Sequence, residues 1–412
     1  MLDFFLKKSI KYKQCNKFIF SSFISKTIAF SVLHTSLICC VIIQYFKDSG
    51  MLPLQLSIII ISKRILRLFC DILFGLIFDR FGAKTVFILG RILKLTSYFV
   101  LLFFPVFEGF IIAMLLDGAS YSSIYGKISS YIYNNLSVRR KLRLFPKAMS
   151  MYYFCTEATV ATMTFFSGLL LKIYGYNILI YMSILTNIFS IILLIKFIPN
   201  NNSKIFIKYQ AKSIKNIFLT LKNVIKYEPK FLYLIGLYGI SSFLAWQFNS
   251  ISTLIFIDMG VSSANIAFCG AILKTVMCVG ALLSMIFFSK GIEISKCTIY
   301  LFIVLLFGTI TTCCYSKYLF YIFCLLIVSS YTTIEVSIER KLEHYSDKTI
   351  RGTAVSLAMT FCSLVSIFSN LIVGFIAQKN DYKTALLFLM LTLTIFITYL
   401  FFKLTRSFKK NN

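Results

Sequence analysis

Long apolar runs, broken by short polar or basic stretches, fill the chain from about residue 27 to residue 402. Crossing the roughly 30 Å hydrocarbon layer takes about 20 apolar residues, and lipid admits only helices or closed barrels, because every backbone polar group must be satisfied internally. The runs are too long for barrel strands, which need about 10 residues. They predict an all-α integral membrane protein with spans over 27–46, 54–78, 85–105, 109–134, 148–172, 177–198, 231–257, 264–288, 297–315, 318–338, 353–377 and 384–402. The twelve fall as six plus six around a wide polar segment, 199–230. That segment carries Asn200, Asn201 and Asn202 and then lysines at 204, 208, 212, 215, 222 and 226. It reads either as a plain linker or, from its apolar residues at helical spacing, as a basic helix lying on the membrane surface. The organisation expected is a basic arm (1–26), a first six-helix bundle (27–198), a basic linker (199–230), a second bundle (231–402) and a basic tail (403–412).

Composition sharpens this picture. The 412 residues are 58% hydrophobic and 14% charged, against about 45–50% and about 25% for a soluble domain. A net charge of +28 could signal nucleic acid, but the bases sit between apolar runs rather than on a soluble face, as the positive-inside rule describes. The arm with Lys7, Lys8, Lys11, Lys13 and Lys17 shares one side with Arg139, Arg140, Lys141, Arg143, the linker, the segment Arg340 to Arg351 and the tail. The opposite loops are short. A multi-pass protein of a bacterial inner membrane, with both termini cytoplasmic, is therefore expected. With two histidines 310 positions apart, and 12 cysteines lying mostly in apolar runs without ligand spacing, no metal, cofactor or catalytic centre is expected.

The halves look like diverged copies. Gly168 precedes Tyr176 by eight residues and Gly374 precedes Tyr382 by eight, while Ala148-Met149-Ser150 echoes Ala354-Val355-Ser356, all at an offset of 206. Parallel repeats around a midplane site are a known transporter plan.

After the second span the chain reads Gly75-Leu76-Ile77-Phe78-Asp79-Arg80-Phe81-Gly82-Ala83-Lys84. Gly75 would let two helices approach, Asp79 sits at a helix end where it can meet another helix's N-terminus, and Gly82 permits a sharp turn. Arg80 and Lys84 stay on the basic side. The segment resembles the G-x-x-x-D-R-x-G-x-[RK] signature loop of the major facilitator superfamily, and all five characteristic positions match. The resemblance implies a secondary transporter with twelve helices in two six-helix pseudo-repeats, working as a monomer. It also implies that Asp79 latches the second span to the start of the eleventh, near Gly352. The equivalent place in the second half, Ser289-Lys290-Gly291, lacks the acid. Met114 stands where proton-coupled members often have an arginine four residues before a glycine, here Gly118, and sugar-porter signatures are missing. Proton-driven drug antiport and sugar transport are thus less expected.

Ionisable residues inside spans usually face a cavity or each other, because burying charge in lipid is costly. The second span carries Lys63, Arg64, Arg67 and Asp71, and helical periodicity puts Arg64, Arg67, Asp71 and Gly75 on one stripe. The stripe is either an anion-attracting wall, with Asp71 holding Arg67 at i, i+4, or a structural network. Further substrate-binding candidates are Tyr121, Lys127, Lys274 and the mid-span Trp246, Gln247 and Asn249. Arg91, Lys94 and Glu335 are also buried ionisable positions. Asp117 and Glu157 could carry a coupling proton, unless Asp117 pairs with Lys127 in a purely structural role. The combined expectation is alternating-access transport of a small organic solute, tilted to an anion or zwitterion. The alternatives are efflux of drugs or amphipathic compounds, and a non-transporting membrane sensor.

Overall fold

The computed structural model describes residues 36–124, 127–138, 144–198, 261–289 and 351–409, with short helical pieces between 233 and 331. Every regular element among them is helical. The helices are α1 (Leu37–Asp48), α2 (Pro53–Phe81), α3 (Ala83–Phe103), α4 (Phe107–Ile124), α5 (Lys127–Val138), α6 (Phe145–Phe197), α7 (Ser263–Ser289), α8 (Arg351–Lys379) and α9 (Tyr382–Lys409). They account for spans one to six, eight, eleven and twelve of the predicted set. Most of spans seven, nine and ten, the arm and the linker lie outside the described residues.

Local chemistry fixes the helix ends. Ser36 caps α1 by accepting from the Cys39 N–H, and Pro53 opens α2, where its missing N–H costs nothing. Gly82 ends α2 with φ 86° and ψ 171°, a conformation essentially reserved for glycine. Spans five and six are two helices within α6, separated at Gly175, whose φ of 73° breaks the helical backbone and lets the chain turn without an intervening loop. The predicted fourth span covers α4 and α5, and residues 125–126 lie outside the described set.

Large apolar side chains such as Phe69, Phe103, Ile173, Phe368 and Ile395 stay exposed, the last at 70%. On a soluble protein such a coat would drive aggregation; here it is the lipid-facing surface.

Among the described residues the two halves meet mainly through two pairs, α2 with α8 and α6 with α7, with a smaller contact between α1 and α7. Gly374 of α8 lies so close to α2 that a methyl group there would sit 2.6 Å from the Ser57 hydroxyl. Gly168 of α6 is pressed on α7, where a methyl would lie 3.0 Å from Ala267 Cβ. These are the two glycines that the sequence repeat aligns. The repeat thus marks equivalent crossings between the halves, where small residues let backbones approach.

One face of the molecule is shut by both halves. Around the α1–α2 turn, a continuous apolar core joins Tyr45, Phe46 and Phe110 to Ala267, Val373, Ala377, Tyr382 and Leu386. Above it the Asp48 carboxylate accepts from Tyr176 and, at 3.3 Å, from Ser263 at the start of α7. Lys47 lies 5.8 Å from the centre of the Tyr382 ring. The second core, toward the opposite face, is built from Phe74, Phe78, Phe87, Ile128, Tyr131, Phe145 and Met149, and Ala281 alone joins it from the second half among the described residues.

Candidate functional site

The site begins with the run of small residues in α4, Asp117-Gly118-Ala119-Ser120-Tyr121-Ser122-Ser123. Gly118 abuts the backbone carbonyl of Lys63 on α2, and Gly90 of α3 receives Ser123, so no side chain separates these helices. Hydroxyls then stitch them together: Ser122 donates to the Arg67 carbonyl at 3.1 Å and Ser97 to the Ala113 carbonyl at 2.8 Å. Within this packing the long bases of α2 and α3 are forced to share a small volume with the two acids.

Asp117 lies between two ammonium groups, with Lys63 Nζ at 2.6 Å and Lys94 Nζ also bonded. Lys94 further reaches Cys39 Sγ at 3.0 Å and sits 5.1 Å from the Tyr98 ring centre. The considered pairing of Asp117 with Lys127 is replaced by this arrangement. Lys127 instead donates to the Asp71 backbone carbonyl at 3.1 Å. It passes the bare face of Gly75, whose missing Cβ would lie 3.9 Å from Nζ. Among the described residues the motif glycine therefore makes room for a lysine, not for the close helix approach expected of it. Asp71 and Arg67 form the expected i, i+4 pair, with Nε 3.6 Å from the carboxylate. Tyr121 lies under both Lys63 and Arg67, 5.2 and 4.8 Å from its ring centre. Cation–π contacts of this kind contribute about 0.5–2 kcal/mol each. On α6, Asn187 donates to the Arg91 carbonyl at 2.9 Å and anchors α3.

Arg64, Arg67, Asp71, Arg91, Lys94, Asp117 and Lys127 are all buried, and Lys63 keeps 21% of its side chain exposed. The buried middle of α2–α5 thus holds six bases, Lys63, Arg64, Arg67, Arg91, Lys94 and Lys127, against two acids, Asp71 and Asp117. A separate pair joins the halves: Lys274 Nζ of α7 lies 3.1 Å from the Glu157 carboxylate of α6.

The stripe on α2 was legible from spacing, and so was the surplus of bases. The double grip of Lys63 and Lys94 on Asp117 was not, since nothing in sequence aligns α2, α3 and α4. A second missed role is that of Lys84, which donates to the Ile195 carbonyl at 3.0 Å and ties the signature loop to the C-terminal end of α6. A cation there meets the negative end of the helix. The side chains of Asp79 and Arg80 and those at the start of α8 lie outside the described residues, as do Trp246, Gln247, Asn249 and Glu335.

Similarity to known proteins agrees with this architecture. No match is found among curated proteins. Among solved structures, a variant of the nucleoside transporter NupG superposes with a TM-score of 0.69 at 14% identity, covering 93% of this chain and 99% of that one. A D-xylose-proton symporter gives 0.71 at 12% identity, covering 92% and 97%. At such identity these likenesses describe the fold, two six-helix bundles, rather than the cargo. The Major Facilitator Superfamily profile matches residues 19–338, most of the chain and including the signature loop. Helices, loop and profile together assign the chain to the Major Facilitator Superfamily, as a membrane transporter rather than an enzyme.

Proposed function

We propose that this transporter moves a small organic anion, such as a carboxylate or a phosphorylated metabolite, through a site walled by α2 and α4. The observation that carries the reading is the buried surplus of bases. Among the described residues the cluster holds six bases and two acids, and this local excess of positive charge attracts an anion into it. Lys63 and Tyr121, the partly exposed members, are the groups an entering ligand meets first. Arg64, the next residue on α2, and Arg67, one turn on, are buried behind them. Asp117, already held by two lysines, serves to keep that wall together.

The positive-inside rule puts the basic loops in the cytoplasm. On that orientation the contacts of Asp48 with Tyr176 and Ser263 lie on the outer side, where they would join the halves in one phase of an alternating-access cycle. Thermal-shift screening of the purified protein against organic anions, cations and neutral solutes tests the proposal, since a ligand that binds the folded state raises its stability by RT ln(1 + [L]/Kd). Stabilisation by organic anions, lost in Arg64→Ala or Arg67→Ala, is expected. Stabilisation confined to lipophilic cations would overturn the anion reading.

A further inference from the structure

Glu157 and Lys274 stand apart from the charged cluster of α2–α5. They come from opposite halves, on α6 and α7, the pair of helices that forms one of the two crossings between the bundles. Both sit in the middle third of their spans, where a charge facing lipid is costly. Their side chains are nevertheless not fully covered, with 14% of Glu157 and 23% of Lys274 exposed. A partly open ion pair at membrane depth is expected to face a polar cavity rather than lipid.

The pairing is also incomplete. An ammonium group has three protons to donate. Lys274 donates one to the thioether of Met277 at 3.4 Å, a weak acceptor, and stands 3.1 Å from Glu157 Oε2 as an ion pair without hydrogen-bond alignment. Among the described residues no other hydrogen-bond acceptor meets it. One carboxylate oxygen of Glu157 is buried, and the lysine is the sole charged partner it has among those residues. The environment is otherwise soft and apolar: Cys278 one turn along α7 bonds the Lys274 carbonyl at 3.3 Å, and the adjoining helix contact is made by Gly270 against Thr164. Nothing here resembles the multiply bonded Asp117, whose lysines reach it from two different helices.

We infer that Glu157 is a built-in placeholder for the substrate's own anionic group: the carboxylate occupies Lys274 when the site is empty, and the cargo displaces it when it binds. The inference rests on the anion reading and deepens it. Lys274 becomes the contact that the second half offers to the cargo. Displacing Glu157 breaks an electrostatic tie between α6 and α7, so binding weakens the join between the bundles at the moment when they must rock. Without cargo the pair re-forms, and Lys274 is never left uncompensated. No bond is made or broken in this exchange apart from hydrogen bonds.

The test is anion binding by the full-length purified protein, using inorganic phosphate and succinate as probes and comparing wild type, Glu157→Gln and Lys274→Gln by thermal shift and titration. The double variant Glu157→Gln with Lys274→Gln keeps a neutral hydrogen-bonding pair, and its elution as a folded monodisperse species shows that the position tolerates substitution. If Glu157 is a placeholder, Glu157→Gln binds the probe anion about tenfold more tightly than wild type, because the internal competitor is gone. Lys274→Gln then binds it at least about tenfold more weakly. A tenfold change corresponds to about 1.4 kcal/mol. Wild-type binding that Glu157→Gln leaves unchanged or weakens overturns the placeholder and leaves the anion reading standing. Failure of both probes to bind any of these proteins overturns both.

Discussion

Asp117→Asn is the sharpest probe of the electrostatic scaffold. The substitution keeps the side chain's size and lets an amide oxygen accept from one lysine, but removes the charge that Lys63 at 2.6 Å and Lys94 share. Breaking a buried ion pair by deleting one partner costs about 3–5 kcal/mol, chiefly because the remaining charge is left without compensation. Two lysines are orphaned here rather than one. Lys63 is partly exposed and recovers some hydration, so the total stays within that range instead of doubling. With roughly 2 °C per kcal/mol for a chain somewhat larger than a typical domain, the melting temperature in detergent should fall by roughly 6–10 °C. The assay is the thermal unfolding of wild type, Asp117→Asn, Lys94→Met and the double variant. Removing Lys94 in the Asp117→Asn background deletes one uncompensated charge and should restore part of the loss, so the two changes couple favourably in the double-mutant cycle. An unchanged melting temperature for Asp117→Asn, or a double variant as unstable as the sum of the singles, would refute the reasoning and make Asp117 a titrating group rather than a scaffold.

Other positions give simpler expectations. Gly118→Ala would drive a methyl group into the Lys63 carbonyl, so α2 and α4 must separate; a loss of about 1–3 kcal/mol in unfolding free energy is expected, with weaker anion binding measured alongside it. Gly82→Ala would trap a side chain at φ 86°, where strain of about 1–3 kcal/mol is expected, and should lower both melting temperature and uptake rate in vesicles. Asp381 caps α9, accepting at 2.7 Å from the Thr384 N–H and also from its hydroxyl, and these bonds hold its carboxyl below the ordinary carboxylate value of 3.8. Because the folded value is the depressed one, the cap's contribution of about 1 kcal/mol is fully present above the unfolded value and fades as pH falls through the folded value. Thermal unfolding of wild type and Asp381→Ala between neutral pH and pH about 3 should therefore show two curves that converge only at the acid end, and a constant gap would contradict the capping role.

How much was legible in the sequence depended on whether the signal was local. The spans, the turn at Gly82, the Arg67–Asp71 pair and the two repeat-related glycines follow from hydropathy, spacing and backbone sterics within a single segment. The signature loop announced the family for the same reason, since its residues are contiguous. The tight turn at Gly175 between spans five and six is of the same local kind. The partner of Asp117 depended on which faces of α2, α3 and α4 turn toward one another. The small side chains of Gly90, Gly118, Ser122 and Ser123 set that packing, and it selected Lys63 and Lys94 while sending Lys127 past Gly75 to a backbone carbonyl.

The sequence by itself determined that the chain lives in a bilayer as a set of apolar helices, and that bases outnumber acids at membrane depth, because lipid imposes length and hydrophobicity on each span separately. Only the tertiary structure decided which charges meet. Ion pairs such as Asp117 with Lys63 and Lys94, or Glu157 with Lys274, join helices far apart in the chain, and their geometry is a consequence of close helix packing that no single span contains.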